Sequence, residues 1–261
     1  MMRRLLACLS ALAGVGAVAP VATGSPRPVH LAAFACHSTL DPTARTVSVT
    51  SVMRPIPGTW TLSVRFSLLE RAPGTSVEQS VGQSGDLGRW LTPADPTLGR
   101  RADDVWKLAK PVRDVAAPAA YRFAVSFRWK GRDGKVLATA SRRTASCRER
   151  ELRPDVLVRR VIVDSVAGHR NRARYVAVVA NRGRTASGPF SVTFMPGTGA
   201  PAKTKTLASL GSGGRVRVPF SGPACDPARP PTVTADAAGQ VDDYDRSNNT
   251  LTVACAVAAG D

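Results

Sequence analysis

The sequence predicts an all-β protein built from two tandem β-sandwiches that follow a signal peptide. Short segments with alternating apolar and polar residues recur along the 261-residue chain, and this alternation is typical of strands with one buried face. Clusters of Gly, Pro, Asn or Asp separate the segments at intervals of about a dozen residues, as turns do in β-sandwiches. Neither half carries the apolar period of a long amphipathic helix.

Residues 1–24 have the organisation of a signal peptide. Arg3 and Arg4 give a positively charged start, residues 5–19 are apolar, and small residues at 22–24 provide a cleavage site. The apolar run is too short to span a membrane, and no longer run follows it. We therefore expect a secreted or cell-surface protein with no transmembrane segment in the mature chain.

The first sandwich is predicted over residues 25–152. Its clearest strands are 60–69 and 121–129, where apolar residues alternate strictly with small or polar ones. This pattern places Trp60 on the buried face. The dipeptide Asp133-Gly134 predicts a tight hairpin turn after the second of these strands. Further strands are predicted at 46–52, 105–115 and 136–147.

Segment 72–103 interrupts this alternation and is rich in Gly, Pro and Ser. It predicts loops with one or two short strands, anchored to the core by Trp90 and Leu91. Irregular insertions of this length often carry function. If the chain is a hydrolase, its site is expected here.

The second sandwich is predicted over residues 153–261, after a junction at Glu151–Asp155 where charge and a proline interrupt the alternation. A polar turn at 240–249 leads into a final strand that we expect to end on Cys255. The predicted strands are 156–163, 174–181, 190–194, 203–210, 216–220, 233–237 and 251–255.

Four cysteines remain once Cys8 leaves with the signal peptide. An even number in an exported chain predicts disulfides. Of the three possible pairings we favour Cys36–Cys147 and Cys225–Cys255, because each pair brackets one set of predicted strands. The spacing does not favour a zinc site, because no two cysteines stand two to four residues apart.

The formal net charge is +17, and arginine supplies most of the basic residues in both halves. Such an excess favours attachment to an anionic surface such as a wall polymer or an acidic glycan. Codon bias and solubility are the plainer explanation. We expect no nucleic-acid partner, because alternation in 121–129 puts the rings and the arginines on opposite faces of the strand.

The polar turn offers the one candidate metal site, a calcium site formed by Asp242, Asp243, Asp245 and Asn248. Oxygen ligands of this kind suit Ca²⁺, yet the spacing of an EF-hand is absent. The competing interpretation is a turn whose short side chains, including Asn249, bond to the backbone before the last strand.

Catalysis finds little support in the sequence. The three histidines, His30, His37 and His169, are far apart in the chain, whereas a catalytic triad needs a histidine held beside its partners. No phosphate-binding glycine loop or zinc-protease motif is present. We therefore expect neither catalytic residues nor a cofactor.

Two resemblances extend this interpretation. Residues 115–125, with Pro118 and Tyr121, resemble the tyrosine corner of immunoglobulin-like sandwiches, which implies that the Tyr121 hydroxyl bonds to backbone just upstream. The series from Arg153-Pro154-Asp155, through Asn181-Arg182-Gly183, to Ser247-Asn248-Asn249 is similar to the CARDB family over about residues 153–257. That family is a bacterial, cell-adhesion-related immunoglobulin-like module. The resemblance implies a non-catalytic domain in which Asn181, Asn248 and Asn249 are structural.

Taken together, these patterns predict two tandem immunoglobulin-like sandwiches that act by binding at the bacterial cell envelope or outside the cell. The partner is expected to be an envelope protein or glycan. The first alternative is a basic module held electrostatically on anionic wall polymer or glycan. The second is a hydrolase with its site in 72–103.

Overall fold

The architecture comes from a computed structural model, which describes residues 27–82 and 85–255. The predicted signal peptide at 1–24 lies outside the described residues. The described residues of the first half form eight strands and one short 3₁₀ turn at Pro42–Ala44. The strands are β1 (Val29–His37), β2 (Thr46–Met53), β3 (Thr61–Arg71), β4 (Gln79–Ser80), β5 (Trp106–Arg113), β6 (Ala119–Lys130), β7 (Val136–Arg143) and β8 (Cys147–Glu149).

These strands form two antiparallel sheets around one core. One sheet has the order β1-β2-β5; the other has the order β4-β3-β6-β7, with β8 also paired to β6. The alternation in β3 and β6 places their apolar side chains inward, where they meet valines of β2. The buried residues of the two central strands are Leu62, Val64, Phe66 and Leu68 on β3 and Phe123, Val125, Phe127 and Trp129 on β6.

In the second half, the chain up to residue 255 forms seven strands and a 3₁₀ turn at Arg246–Asn248. Its sheets have the orders β13-β10-β9 and β12-β11-β14-β15, and residues from both sheets share a second buried core. The strands are β9 (Val156–Val166), β10 (His169–Asn181), β11 (Phe190–Met195), β12 (Lys203–Leu207), β13 (Arg215–Pro223), β14 (Thr232–Ala235) and β15 (Thr250–Thr252).

The all-β prediction is therefore confirmed, as immunoglobulin-like sandwiches made of antiparallel sheets. The division at residues 152 and 153 stays a prediction; the two buried cores lie on either side of it. Among the residues that the structure describes, no helix is long and apolar enough to cross a membrane.

Both predicted disulfides are present. Cys36 of β1 is joined to Cys147 of β8, with Cα atoms 5.8 Å apart, and Cys225 is joined to Cys255 at 5.4 Å. The first bridge links the two sheets of the first sandwich, because β1 and β8 belong to different sheets. The second bridge holds the segment after β13 against the segment after β15.

The structure departs from the predicted strands in three places: it adds β1, it divides the strand predicted at 136–147 into β7 and β8, and it ends the last strand earlier. Strand β1 was not predicted, because its alternation is broken by a bulge at which Ala33 adopts a φ of +50°. The final strand does not reach Cys255 but ends at Thr252. Its partner β14 begins only after Pro230 and Pro231, whose nitrogens have no hydrogen to continue the ladder.

Two tryptophans do not occupy the core positions that the sequence predicts. Trp60 lies just before β3, where the guanidinium of Arg100 stacks on its ring with 3.9 Å between the Arg Cζ and the ring centroid. Trp90 lies on the outer face of the sheet, with the Cζ atoms of Arg128 and Arg65 3.8 and 4.9 Å from its ring centroid. Segment 72–103 therefore attaches to the arginine side of β3 and β6 through Trp90, and to the core through Leu87 and Leu91.

Candidate binding site at the junction of the two sandwiches

Asn181, at the end of β10, organises the turn where the second sandwich begins. Its Oδ1 accepts hydrogen bonds from the backbone nitrogens of Asp155 (3.1 Å) and Gly183 (2.9 Å). Its Nδ2 donates to the carbonyl oxygens of Thr185 (2.8 Å) and Leu210 (2.9 Å). The side chain is 1% exposed, and its four bonds join three separate loops. Its geometry is that of a structural residue, because a buried amide with all its groups satisfied stabilises one arrangement.

Gly183 shows why these loops lie so close together. A Cβ atom at this position would stand 2.4 Å from the carbonyl oxygen of Arg153 and 2.5 Å from the nitrogen of Asp155. Both are backbone atoms, which do not move aside as a flexible side chain would. The close approach of two backbone segments therefore requires glycine here.

The polar turn at 240–249 folds back onto the start of β9 through Asp243. One carboxylate oxygen accepts from the backbone nitrogen of Val156 at 3.2 Å, and the other accepts from that of Asp245 at 3.1 Å. The backbone nitrogen of Tyr244 adds a bond to the carbonyl of Pro154 at 2.9 Å. Burial raises the pKa of Asp243 above its usual value, although these bonds act in the opposite direction.

Asp245 and Asn248 continue the same network. One oxygen of Asp245 accepts from the backbone and the hydroxyl of Ser247, which holds its pKa below the usual value. The amide of Asn248 donates to Asp245 and to Asp155, each at 2.9 Å. Asp155 also pairs with Arg182 at 3.1 Å. Asn249, 5% exposed, closes the turn with its carbonyl oxygen bonded to the nitrogen of Ala235 at 2.9 Å.

These contacts decide what the polar turn does chemically. Asp243 and Asp245 direct their oxygens at N–H and O–H donors, and Asp242 points outward with 73% of its side chain exposed. Over residues 27–82 and 85–255, no group of three or more His, Cys, Asp or Glu side chains converges in a way that could hold a metal ion. In the structure the four residues proposed as calcium ligands make turn and docking contacts, and the calcium site itself stays a prediction.

Asp236 is a structural residue that the sequence reasoning missed. It follows β14 with a φ of +52°, and its carboxylate accepts from the nitrogens of Gln240 at 2.8 Å and Val241 at 3.0 Å. Asp tolerates this left-handed conformation better than most residues because its side chain bonds the local backbone. The signal was present in the sequence, as an Asp followed within a few residues by a glycine.

A buried ion pair joins the first sandwich to the junction. Arg45, whose side chain is 3% exposed, contacts Glu151 at 2.8 Å, and Glu151 also accepts from Arg153 at 3.0 Å. Burial acts to raise the pKa of Glu151, but the hydrogen bonds from Arg153 and the charge of Arg45 hold it below its usual value. Arg153 reaches on to Asp242 at 3.4 Å.

A cleft of about 730 Å³ opens beside this ion pair. We call it the junction cleft, because residues of both sandwiches line it: the turn 72–75 and residues 118–120 from the first, 182–184 and Tyr244 from the second, and the segment 148–153 between them. Its basic side chains are Arg71, Arg148, Arg150, Arg153, Arg182 and Arg184.

Comparison with known proteins identifies the second sandwich. The family model of CARDB matches residues 153–253. This half of the chain is a CARDB domain. The Asn-Arg-Gly turn and the polar turn, whose contacts are described above, both lie within the matched residues. A search of the curated proteins finds no match to the chain.

The solved structures that match the chain include three with TM-scores below 0.5. A CARDB domain from Pyrococcus furiosus, in complex with di-metal ions, is 24% identical, with 40% of this chain and 89% of that chain covered and a TM-score of 0.34. Red sea bream transglutaminase is 14% identical, with 88% and 31% covered and a TM-score of 0.30. The class 5 fimbriae chaperone CfaA is 8% identical, with 88% and 99% covered and a TM-score of 0.30.

Outside the CARDB domain, Tyr121 takes a structural position. Its hydroxyl donates to the carbonyl oxygen of Ala116 at 2.8 Å, five residues upstream, as in a tyrosine corner. Burial raises the pKa of Tyr121, and the nearby carboxylates of Glu70 and Glu149 raise it further. Tyr121 thus stays a neutral donor.

The carboxylates in the described part of segment 72–103 make structural contacts. Three of its carboxylates are engaged in contacts: Glu78 pairs with Arg122 at 2.8 Å, Asp86 pairs with Lys110, and Asp95 accepts from the backbone nitrogen and the hydroxyl of Thr97. His30, His37 and His169 belong to β1 and β10, outside this segment. A hydrolase site in this segment stays a prediction.

Proposed function

We propose that the protein is a non-catalytic binding module exported to the cell surface or the extracellular space, where it attaches to an envelope component. The observation that carries the proposal is the CARDB domain, an adhesion-related module, joined to a disulfide-linked sandwich. Disulfides persist in oxidising compartments, which favours a position outside the cytoplasm. The pairing of the local carboxylates with backbone and arginine favours binding over catalysis.

The mode of attachment has a second candidate within this function. The junction cleft concentrates six arginines, and the chain as a whole carries a net charge of +17. Both features favour an anionic polymer or glycan as the partner. Direct adhesion to an envelope protein through loops or an open sheet edge is the first candidate, since β7, β12 and β13 each end their sheets.

The test is sedimentation of the oxidised full-length chain with an envelope fraction from the source organism. We expect the protein to pellet with the envelope and not with control beads. Raising NaCl to about 0.5 M separates the two modes, because screening at that ionic strength weakens exposed charge contacts. Loss of binding favours anionic polymer, and retention favours an envelope protein. Absence of the chain from the pellet at low salt would contradict the proposed function.

A further inference from the structure

The junction cleft contains a buried carboxylate with no partner. Glu149 on β8 lines the cleft, is 1% exposed, and pairs in register with Ala119 of β6. Among the described residues, neither of its carboxylate oxygens has a hydrogen-bond partner. An ionised carboxylate buried in this way is unfavourable, because it has lost its water without gaining donors. The other buried carboxylates of the junction, such as Asp243, are bonded.

The same cleft holds cations that have no carboxylate partner. Of its six arginines, Arg153 and Arg182 are paired with Glu151 and Asp155. Four others form no ion pair within the part of the chain that the structure describes, and Arg148 and Arg150 flank Glu149 in the sequence. These four are Arg71, Arg148, Arg150 and Arg184.

The two observations together define the chemistry of a ligand. Four guanidinium groups favour a ligand with several anionic groups, since arginine binds carboxylate or phosphate in a bidentate manner. The carboxylate of Glu149 favours a ligand that also carries hydrogen-bond donors beside those anionic groups. Sugars carry hydroxyl donors around the whole ring, whereas a peptide offers one backbone N–H per residue and polyphosphate offers none at neutral pH.

We propose that the junction cleft binds an acidic carbohydrate, with the arginines contacting its acid groups and Glu149 accepting from its hydroxyls. The exposed turn at 72–75 forms one wall of the cleft, which Glu149 also lines. The inference rests on the proposed function and deepens it, because it assigns one binding site and one partner class to the envelope attachment. Tyr244, 42% exposed and 5.7 Å from Arg153 in the ring-to-Cζ distance, gives the sugar ring an aromatic surface at the second wall.

The experiment measures fluorescence anisotropy of a labelled oligogalacturonate of about six sugars against the oxidised full-length chain. We expect saturable binding that a neutral oligosaccharide does not compete with. The double variant R148Q/R150Q should weaken binding at least about tenfold, as should Glu149→Leu, which removes both acceptor oxygens, since a lost hydrogen bond to a charged group has an effect of this size. Urea unfolding of each variant shows that it is folded.

The matched control is R215Q/R217Q on β13, which removes the same two charges from exposed positions away from the cleft. It should bind as the unmodified chain does. Equal weakening by both double variants would overturn the cleft assignment and leave a general electrostatic attachment. Tighter binding of polyglutamate or polyphosphate than of the acidic sugar would overturn the carbohydrate class. If the chain sediments with envelope but binds no acidic sugar, the inference is wrong while the proposed function stands.

Discussion

The ion pair between Arg45 and Glu151 yields the most quantitative prediction. The change is Glu151→Gln, which keeps the size of the side chain and one carbonyl acceptor but removes the charge. The side chains of Arg45 and Glu151 are 3% and 9% exposed, and they meet at 2.8 Å. Without Glu151 the guanidinium of Arg45 stays buried, with one bond of 3.3 Å to the carbonyl of Thr39.

Removing one partner of a buried ion pair costs about 3–5 kcal/mol, because the other charge is left uncompensated. Glutamine still accepts one bond, so we expect a loss in the free energy of unfolding of about 3 kcal/mol at pH 7. The loss should decrease in acid. The pKa of Glu151 is lowered in the folded state, so its contribution is present above the unfolded value of about 4.5 and disappears as the pH falls through the folded value.

The assay is urea unfolding followed by tryptophan fluorescence. All four tryptophans lie in the first half of the chain, at positions 60, 90, 106 and 129, so the signal reports the sandwich that contains Arg45. The control is Asp133→Asn, which breaks a pair with Lys135 whose side chains are 55% and 85% exposed; it should change stability by less than about 0.5 kcal/mol. A loss below about 1 kcal/mol for Glu151→Gln, or a loss independent of pH, would refute the reasoning.

Three further changes test other parts of the fold. Gly183→Ala should destabilise the CARDB domain by about 3 kcal/mol in thermal or urea unfolding, because the added Cβ meets backbone atoms. The control is Gly211→Ala, whose Cβ meets nothing within 4 Å and which should leave stability nearly unchanged. Equal effects of the two changes would contradict the close-approach argument. Tyr121→Phe should cost about 1–2 kcal/mol by tryptophan-detected unfolding, because a carbonyl loses its donor; an unchanged midpoint would argue against the tyrosine corner. Replacing both cysteines of the Cys225–Cys255 bridge with serine should lower stability by about 3–4 kcal/mol for a loop of this length, measured by circular dichroism in urea, and no change would show that the bridge does not restrain the unfolded chain.

Local patterns allowed much of the fold to be predicted. The alternation of Leu62, Val64 and Phe66 depends only on the two-residue period of a strand, so it identifies β3 and its buried face without knowledge of the neighbours. The Asp-Gly turn after β6 is equally local, with Gly134 at a φ of +78°. The disulfide pairing followed from the order of strands and cysteines. Strand β1 was not predicted, because its bulge shifts the two-residue period in the middle of the strand. A search for uninterrupted alternation does not detect such a strand.

The positions of Trp60 and Trp90 depended on information that the local pattern does not contain. Trp60 stands two residues before Leu62 and so belongs to the same face of the strand pattern. The buried core nevertheless ends at the start of β3, and the guanidinium of Arg100 covers the Trp60 ring instead. Trp90 packs on arginines of β3 and β6 that are distant in sequence. Where a large amphipathic ring has arginine stems beside it, stacking on the outer face competes with burial in the core.

Sequence distance also separates the polar contacts that could be predicted from those that could not. Asp245 with Ser247 is a contact between residues two apart, which turn chemistry implies directly. Asp155 and Asn248 are 93 residues apart, and their contact exists only after both sheets of the CARDB domain have formed.

Two buried polar side chains at the junction lead to opposite conclusions about their roles. Asn181 has all four of its hydrogen-bonding positions occupied by backbone groups, so the folded chain by itself accounts for its presence. Glu149 is as deeply buried, yet within the described residues its carboxylate oxygens contact no donor. Folding alone would favour an apolar residue at that position, since β8 buries it against the tyrosine corner. A group that opposes stability in the free protein is best explained by a partner that supplies the missing donors, and the arginines that line the same cleft limit that partner to an anion.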